Sequence, residues 1–344
     1  MAEANLKKHL EQMEECWSEN GSWPFFGMSC GYKHLDEMGG GFRDGIYLFA
    51  GGAGVGKTSF LSNLLFQFMQ LNPKALGLMY SLDQSYLDLV ARLFALAADL
   101  PVDMIRNPRQ IKEREELEKR LQGFEVLNGI KERLTILDQS HDNFSLKDIE
   151  AQLAPLRDEA IDEPIILAVD PVMDLYIPGV RDEKEKSYII IEELKRLARK
   201  YKACVIVSMH TDSAARQNRP TLEDIQSKAG LVYGADLVCL LYNDSLNQFE
   251  TPFLEWEWGT ENLMVPLVEL NIVKNKHNRE LGRLFFRFYN AQTRYRECTK
   301  AENDHYNEML KNLDHFDKDP KKRKDALQKK VYVAPKRKEY EGIF

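Results

Sequence analysis

Cysteine is scarce in this chain of 344 residues, and what there is has no order. Cys16, Cys30, Cys204, Cys239 and Cys298 stand far apart with no CxxC pair. That spacing argues against a disulfide framework or a cysteine zinc site and fits reduced thiols. No apolar run is long enough to span a bilayer, and the polar, acidic N-terminus lacks a signal-peptide layout. The chain is therefore expected to be soluble and cytoplasmic, with no membrane partner. An excess of basic charge is missing too: the formal net charge is −7. Any contact with nucleic acid must then come from local basic loops rather than from a polycationic surface.

What is present is concentrated between residues 45 and 60, GIYLFAGGAGVGKTSF. Ile46 to Ala50 read as a buried strand that breaks into Gly51-Gly52-Ala53-Gly54-Val55-Gly56-Lys57-Thr58, a full match to G-x-x-x-x-G-K-[ST]. Glycines at these positions let the backbone N–H groups of Gly52, Ala53, Gly54, Val55 and Gly56 approach phosphate oxygens and form a concave nest. The helix opening at Lys57, Thr58 and Ser59 adds its positive end. Lys57 reaches the outer phosphates, and the Thr58 hydroxyl is a ligand for Mg²⁺. The expected cofactors are ATP and Mg²⁺. The amphipathic run Phe60, Leu61, Leu64, Leu65, Phe68 and Met69 supplies the helix that such a loop requires.

Beyond this loop, strand and helix patterns alternate as far as Met209, the mark of a mostly parallel twisted sheet with helices on both faces. Strands are expected at 75–81, 134–137, 164–170 and 203–209, and helices at 85–98, 111–121, 145–156 and 183–200. Three further strands, at 235–242, 265–273 and 283–288, follow without intervening helices and predict an antiparallel C-terminal extension. The organisation expected is an N-terminal amphipathic helix and linker over 1–30, one ATPase domain over 31–297, and a charged, partly disordered tail over 298–344. Leu6, Leu10, Met13 and Trp17 share one face of the N-terminal helix. That face is expected either to fold back on its own domain or to dock on a neighbouring subunit.

Two acids and a histidine carry the remaining chemistry. IILAVD ends in Asp170, an acid at the carboxyl end of a buried strand, where it can hold the metal's water shell. Asp83, in YSLD, would reach the same sheet edge and orient or activate the attacking water, although an aspartate there could equally be a helix N-cap. His210 closes CVIVSMH, in position to sense the γ-phosphate.

The segments GYKHLDEMGGGF, GGAGVGKTSF, MYSLDQ, ILAVDPVMDL, the stretch 208–244 and IVKNKHNRELG, in this order, resemble the ATPase domain of DnaB-type hexameric replicative helicases, within the RecA superfamily. The likeness runs from about Gly31 to Phe288. It implies a RecA-like P-loop NTPase core, a homo-oligomer, expected to be a hexamer, with ATP between subunits, single-stranded DNA in the channel, and replication proteins as partners. It assigns Lys57 and Thr58 to the phosphate loop and Asp170 to the metal. Asp83 falls where relatives usually carry glutamate, and His210 where a glutamine or histidine senses the γ-phosphate. Lys274 and Lys276 match a basic pair that reaches a neighbour's ATP. The second member of that pair is usually arginine, and Arg279 lies three residues further on. Single-stranded DNA is expected at the loop 213–228, through Arg216, Arg219 and Lys228. Relatives also carry an N-terminal domain, whose place here is taken by the helix at 4–17.

Three functions fit these features. The first is an ATP-driven ring motor on single-stranded DNA. The second is a RecA- or KaiC-like ATPase acting as a nucleotide-driven switch or recombination accessory without unwinding. The third is a structural protein that binds ATP without turning it over.

Overall fold

The computed structural model describes residues 27–139, 144–159, 163–212, 219–243, 254–258 and 261–315, together with Leu10, Glu11 and Glu14. Most of the N-terminal helix reading, Arg216 and the far C-terminus lie outside the described residues. Helix α1 (Lys33–Gly39) precedes β1 (Gly45–Gly51), which runs through the phosphate loop into α2 (Lys57–Leu71). Next come β2 (Leu76–Ser81), α3 (Tyr86–Ala98), α4 (Val102–Arg106), α5 (Arg114–Asn128), β3 (Leu134–Asp138), α6 (Leu146–Glu159) and β4 (Ile165–Asp170). Helix α7 (Glu183–Tyr201), β5 (Ala203–His210), α8 (Ala229–Gly234) and β6 (Leu237–Asn243) follow. The C-terminal part is β7 (Leu254–Trp258), β8 (Glu261–Val265), β9 (Leu267–Asn275), β10 (Gly282–Tyr289), β11 (Arg294–Glu297) and α9 (Lys300–His315).

Nine strands form one sheet in the order β11-β10-β9-β6-β1-β5-β4-β2-β3, and β7 and β8 pair separately. From β6 to β3 every pairing is parallel; β9, β10 and β11 add on antiparallel. The expected fold class is therefore the observed one. Side chains alternate between the two faces of each strand, so the sheet has two cores. Tyr47 and Phe49 of β1 join Cys204 and Ile206 of β5 under α2, with Phe60, Leu64 and Phe68. Ile46, Leu48 and Ala50 face the other way, with Val205 and Val207, against Ile190, Leu194 and Leu197 of α7.

The tail expectation needs correction at its start. Residues 300–315 form α9, which docks on β10 through Tyr306 and Leu310 packed on Leu267 and Phe285. Glu302, on the same face one turn earlier, is fully buried and accepts a bond from Arg287 Nη2. A helix whose buried stripe includes a glutamate does not read as apolar, and this is why the composition of the segment points to solvent.

Parallel pairing also fixes the place of chemistry. Gly51 pairs with His210 and Ser81 with Asp170, so β1, β2, β4 and β5 all end on one sheet edge. Strand β9 runs the opposite way, and its last residues Lys274 and Asn275 pair with Val238 and Leu237 at the start of β6. The basic turn after β9 therefore lies at the other end of the sheet, roughly 20 Å away by the rise of six residues per strand.

Candidate nucleotide site

At the carboxyl edge a cavity of about 470 Å³ is lined by Gly54, Gly56, Lys57, Thr58, Ser59, Asp83, Arg92, Asp170 and His210, and is closed by Phe288, Asn290 and Ala291. Gly54 and Gly56 have φ of 76° and 103°, the left-handed region where side chains are strained. A Cβ at Gly52 would meet nothing within 4 Å, so the cradle is open to a ligand there. At Gly56 a Cβ would lie 2.2 Å from the Tyr295 hydroxyl, which itself donates to Gly56 O at 3.3 Å. Tyr295 thus braces the loop from β11. Its own N–H donates to Asn63 Oδ1 of α2 at 2.9 Å.

Lys57 is buried at 6% exposure. Its ammonium donates to Gly51 O at 3.0 Å and Gly52 O at 2.8 Å, and lies 3.1 Å from His210 Nδ1. Burial lowers its pKa to about 8, against the opposing pull of Asp170 and Asp83. The His210 pKa is also lowered, first by burial and then by Lys57, which makes the ring a neutral acceptor at pH 7.

Asp170 is buried at the end of β4 and accepts a bond from the Ser208 hydroxyl. Nearby Asp174 has a raised pKa, chiefly through burial. Asp83 is exposed toward the cavity. It is not the N-cap of α3: Ser85 is, accepting from Asp88 N–H at 3.2 Å. That leaves the Asp83 carboxylate available to the cavity.

Two members of this site were not read from the sequence. Arg92, on α3, donates to Ser59 Oγ at 2.9 Å, and its buried Nε has no hydrogen-bond partner among the described residues. An arginine inside the apolar run LVARLF was the available signal. Ser208 was marked in the same way, as a lone hydroxyl within CVIVSMH.

These features fit a nucleoside triphosphate with a divalent cation. The cradle is open at Gly52, the cations Lys57, Arg92 and Arg106 line the cavity, and Thr58 with Asp170 offers a hydroxyl and a carboxylate of the kind that hold hydrated Mg²⁺.

The other assigned residues lie elsewhere. Lys274 donates to Val232 O at 2.8 Å and Tyr233 O at 2.7 Å, and burial lowers its pKa to about 8. Lys276 Nζ is 3.0 Å from Gly234 O and 3.1 Å from Asp236 Oδ1. The turn is pinned by Asn275, whose Nδ2 donates to Met38 O at 2.7 Å and Glu280 O at 3.0 Å. Arg279 stands exposed on it with φ of 62°. Within one chain none of the three reaches Lys57.

Two of the residues expected at DNA have partners within the chain. Arg219 Nε donates to both Glu269 oxygens, at 2.8 and 3.0 Å, while its guanidinium lies over the Tyr242 ring. Lys228 is 7% exposed and bonded to Asp212. Both cations are engaged inside the chain.

A mostly parallel sheet with a phosphate loop after its central strand β1 and an acid at the end of β4, with β5 between the two, defines a RecA-like P-loop fold. Residues 27–297 match the profile of the DnaB-like helicase C terminal domain, and the chain belongs to that family. Among solved structures it is similar to the ATPase domain of G40P, at 19% identity and a TM-score of 0.73, covering 86% of this chain and 99% of that one. It is also similar to a DnaB-like replicative helicase described with its interactions with primase, at 19% identity and a TM-score of 0.68. That match covers 85% of this chain and 66% of the other. At such identities the likeness is one of fold. No curated protein matches the sequence.

Proposed function

We propose that the chain is an ATP hydrolase of DnaB type, acting as a hexameric ring that couples hydrolysis to movement on single-stranded DNA. One observation carries this reading: Lys57, Thr58, Asp83, Asp170 and His210 share the carboxyl edge of the sheet, while Lys274, Lys276 and Arg279 occupy the opposite end. A second copy could bring its basic turn to a nucleotide held at the first edge. Thr58 and Asp170 would hold Mg²⁺, which when bound neutralises charge on the outer phosphates. The phosphate-loop N–H groups and Lys57 bind the triphosphate, Asp83 orients or activates water, and His210 reads the γ-phosphate end. Oligomer contact has support in α5, where Leu117, Leu121 and Phe124 form an exposed stripe, and in the half-exposed Leu10.

The test is subunit mixing. Lys57→Ala and the double variant Lys276→Ala with Arg279→Ala should each lose ATPase activity stimulated by single-stranded DNA, and a mixture of the two should regain part of it. A protein that stays monomeric with Mg·ATP and an oligonucleotide overturns the reading. Failure to unwind a forked duplex, with ATPase intact, favours the switch or recombination-accessory function instead.

A further inference from the structure

Among the described residues only two lysines are buried, Lys57 and Lys228. The first serves the phosphate loop. An ammonium taken out of water must be paired, and the partners of Lys228 come from different parts of the chain. Its Nζ lies 2.6 Å from Asp212 Oδ1, 3.3 Å from Glu183 Oε2 and 3.0 Å from Ser227 Oγ. Asp212 sits two residues beyond His210, where the segment after β5 begins. Glu183 is the first residue of α7, where the segment after β4 and Asp170 ends.

The surrounding contacts make this junction stiff. Ser227 Oγ donates to the same Asp212 oxygen at 2.7 Å, and Asp212 N–H donates to Asp224 O at 2.8 Å. Just past Lys228, Gly230 N–H donates to Ser187 Oγ at 3.1 Å, and a Cβ at Gly230 would lie 2.6 Å from Tyr188 N, so α8 is seated closely on α7. On the other side, Lys186 Nζ donates to Met173 O at 2.5 Å, fastening α7 to the turn after Asp170. Thr211 N–H donates to Gly51 O at 3.1 Å, at the entrance of the phosphate loop. A continuous set of contacts therefore runs from the phosphate loop through residues 211 and 212 to Lys228, α7 and back to the end of β4.

We infer that Lys228 is a positioning residue that ties together the two segments leaving the γ-phosphate edge, so that both shift as one when Asp170 and His210 respond to nucleotide. Without its charge the carboxylates of Asp212 and Glu183 are left near each other with no cation between them, and like charges drive the segments apart. The enzymatic readout rests on the proposed function; a second readout does not.

The experiment compares the full chain with Lys228→Met, Lys228→Arg and Glu183→Gln. ATPase rates are measured with and without oligo-dT, and hydrogen exchange of segments 175–186 and 205–212 is measured with and without Mg·ATP. The expected result is a fall of about fivefold or more in DNA stimulation for Lys228→Met, with the KM for ATP unmoved, recovery in Lys228→Arg, and nucleotide-dependent protection of the two segments that separates in the variant. Stimulation of Lys228→Met equal to wild type, or no recovery with arginine, overturns the tie. Should Lys228→Met fail to fold, Glu183→Gln decides, because that carboxylate is 62% exposed and its change is mild; an unaltered ratio overturns the inference. If the wild type itself shows no DNA stimulation, the proposed function fails. Hydrogen exchange then judges the tie alone, with joint protection lost in Lys228→Met supporting it and joint protection retained overturning it.

Discussion

The ammonium of Lys57 lies 3.1 Å from Nδ1 of His210, so the cation of the phosphate loop and the ring at the end of the neighbouring strand form one unit. Burial keeps the ring neutral at pH 7 and draws the Lys57 pKa down to about 8. The charge on Lys57 helps hold the ring neutral, since a charged imidazole would repel the ammonium, and the neutral ring accepts its bond.

This pair predicts a pH dependence. Nucleotide capture needs the charged form of Lys57, so kcat/KM for ATP should fall as pH rises through about 8. Above that pH, binding should take up a proton, measurable by calorimetry in buffers of different ionisation enthalpy. The stability effect has the opposite sign. Because the folded-state pKa is depressed, the unfolded chain binds more protons between about 8 and the ordinary lysine value, and stability rises with pH across that window. Lys57→Met should therefore melt above wild type at pH 7, with the gap closing above pH 8.

Asp83 is predicted to act on the chemical step alone. It caps no helix, because Ser85 holds that role. Asp83→Asn should lower kcat by about 10²-fold or more, with the KM for ATP and the melting temperature little changed. Ser85→Ala should do the reverse, costing about 1 kcal/mol in denaturant unfolding with kcat retained.

The pair Arg287 and Glu302 is predicted to hold α9. Both are buried, and Glu302 also accepts from Thr299 N–H at 2.8 Å. Arg287→Met leaves an unpaired buried carboxylate and should destabilise by about 3–5 kcal/mol. Combining it with Glu302→Leu should recover much of that loss, as read by urea denaturation.

How much of this was legible in the sequence differs by element. The phosphate loop, the parallel strands and the acid ending IILAVD are local patterns: apolar alternation sets faces, and glycine spacing sets the turn. The six-residue helix α8 is too short to show a helical period in the sequence, and its Gly230 is small for close packing on α7. Arg92 reached the site only because α3 packs beside α2.

The sequence by itself determined that this chain builds a phosphate-binding loop on a mostly parallel sheet and belongs with chains that carry Asp170 and His210 at strand ends. Only the tertiary structure decided which charges face the cavity and which are spent inside. Arg219 and Lys228 look alike as basic loop residues, yet one meets Glu269 and the other Asp212 and Glu183. The physical reason is that a cation's role depends on the carboxylates that folding brings beside it and on the water it loses there, and neither is written in its local neighbours.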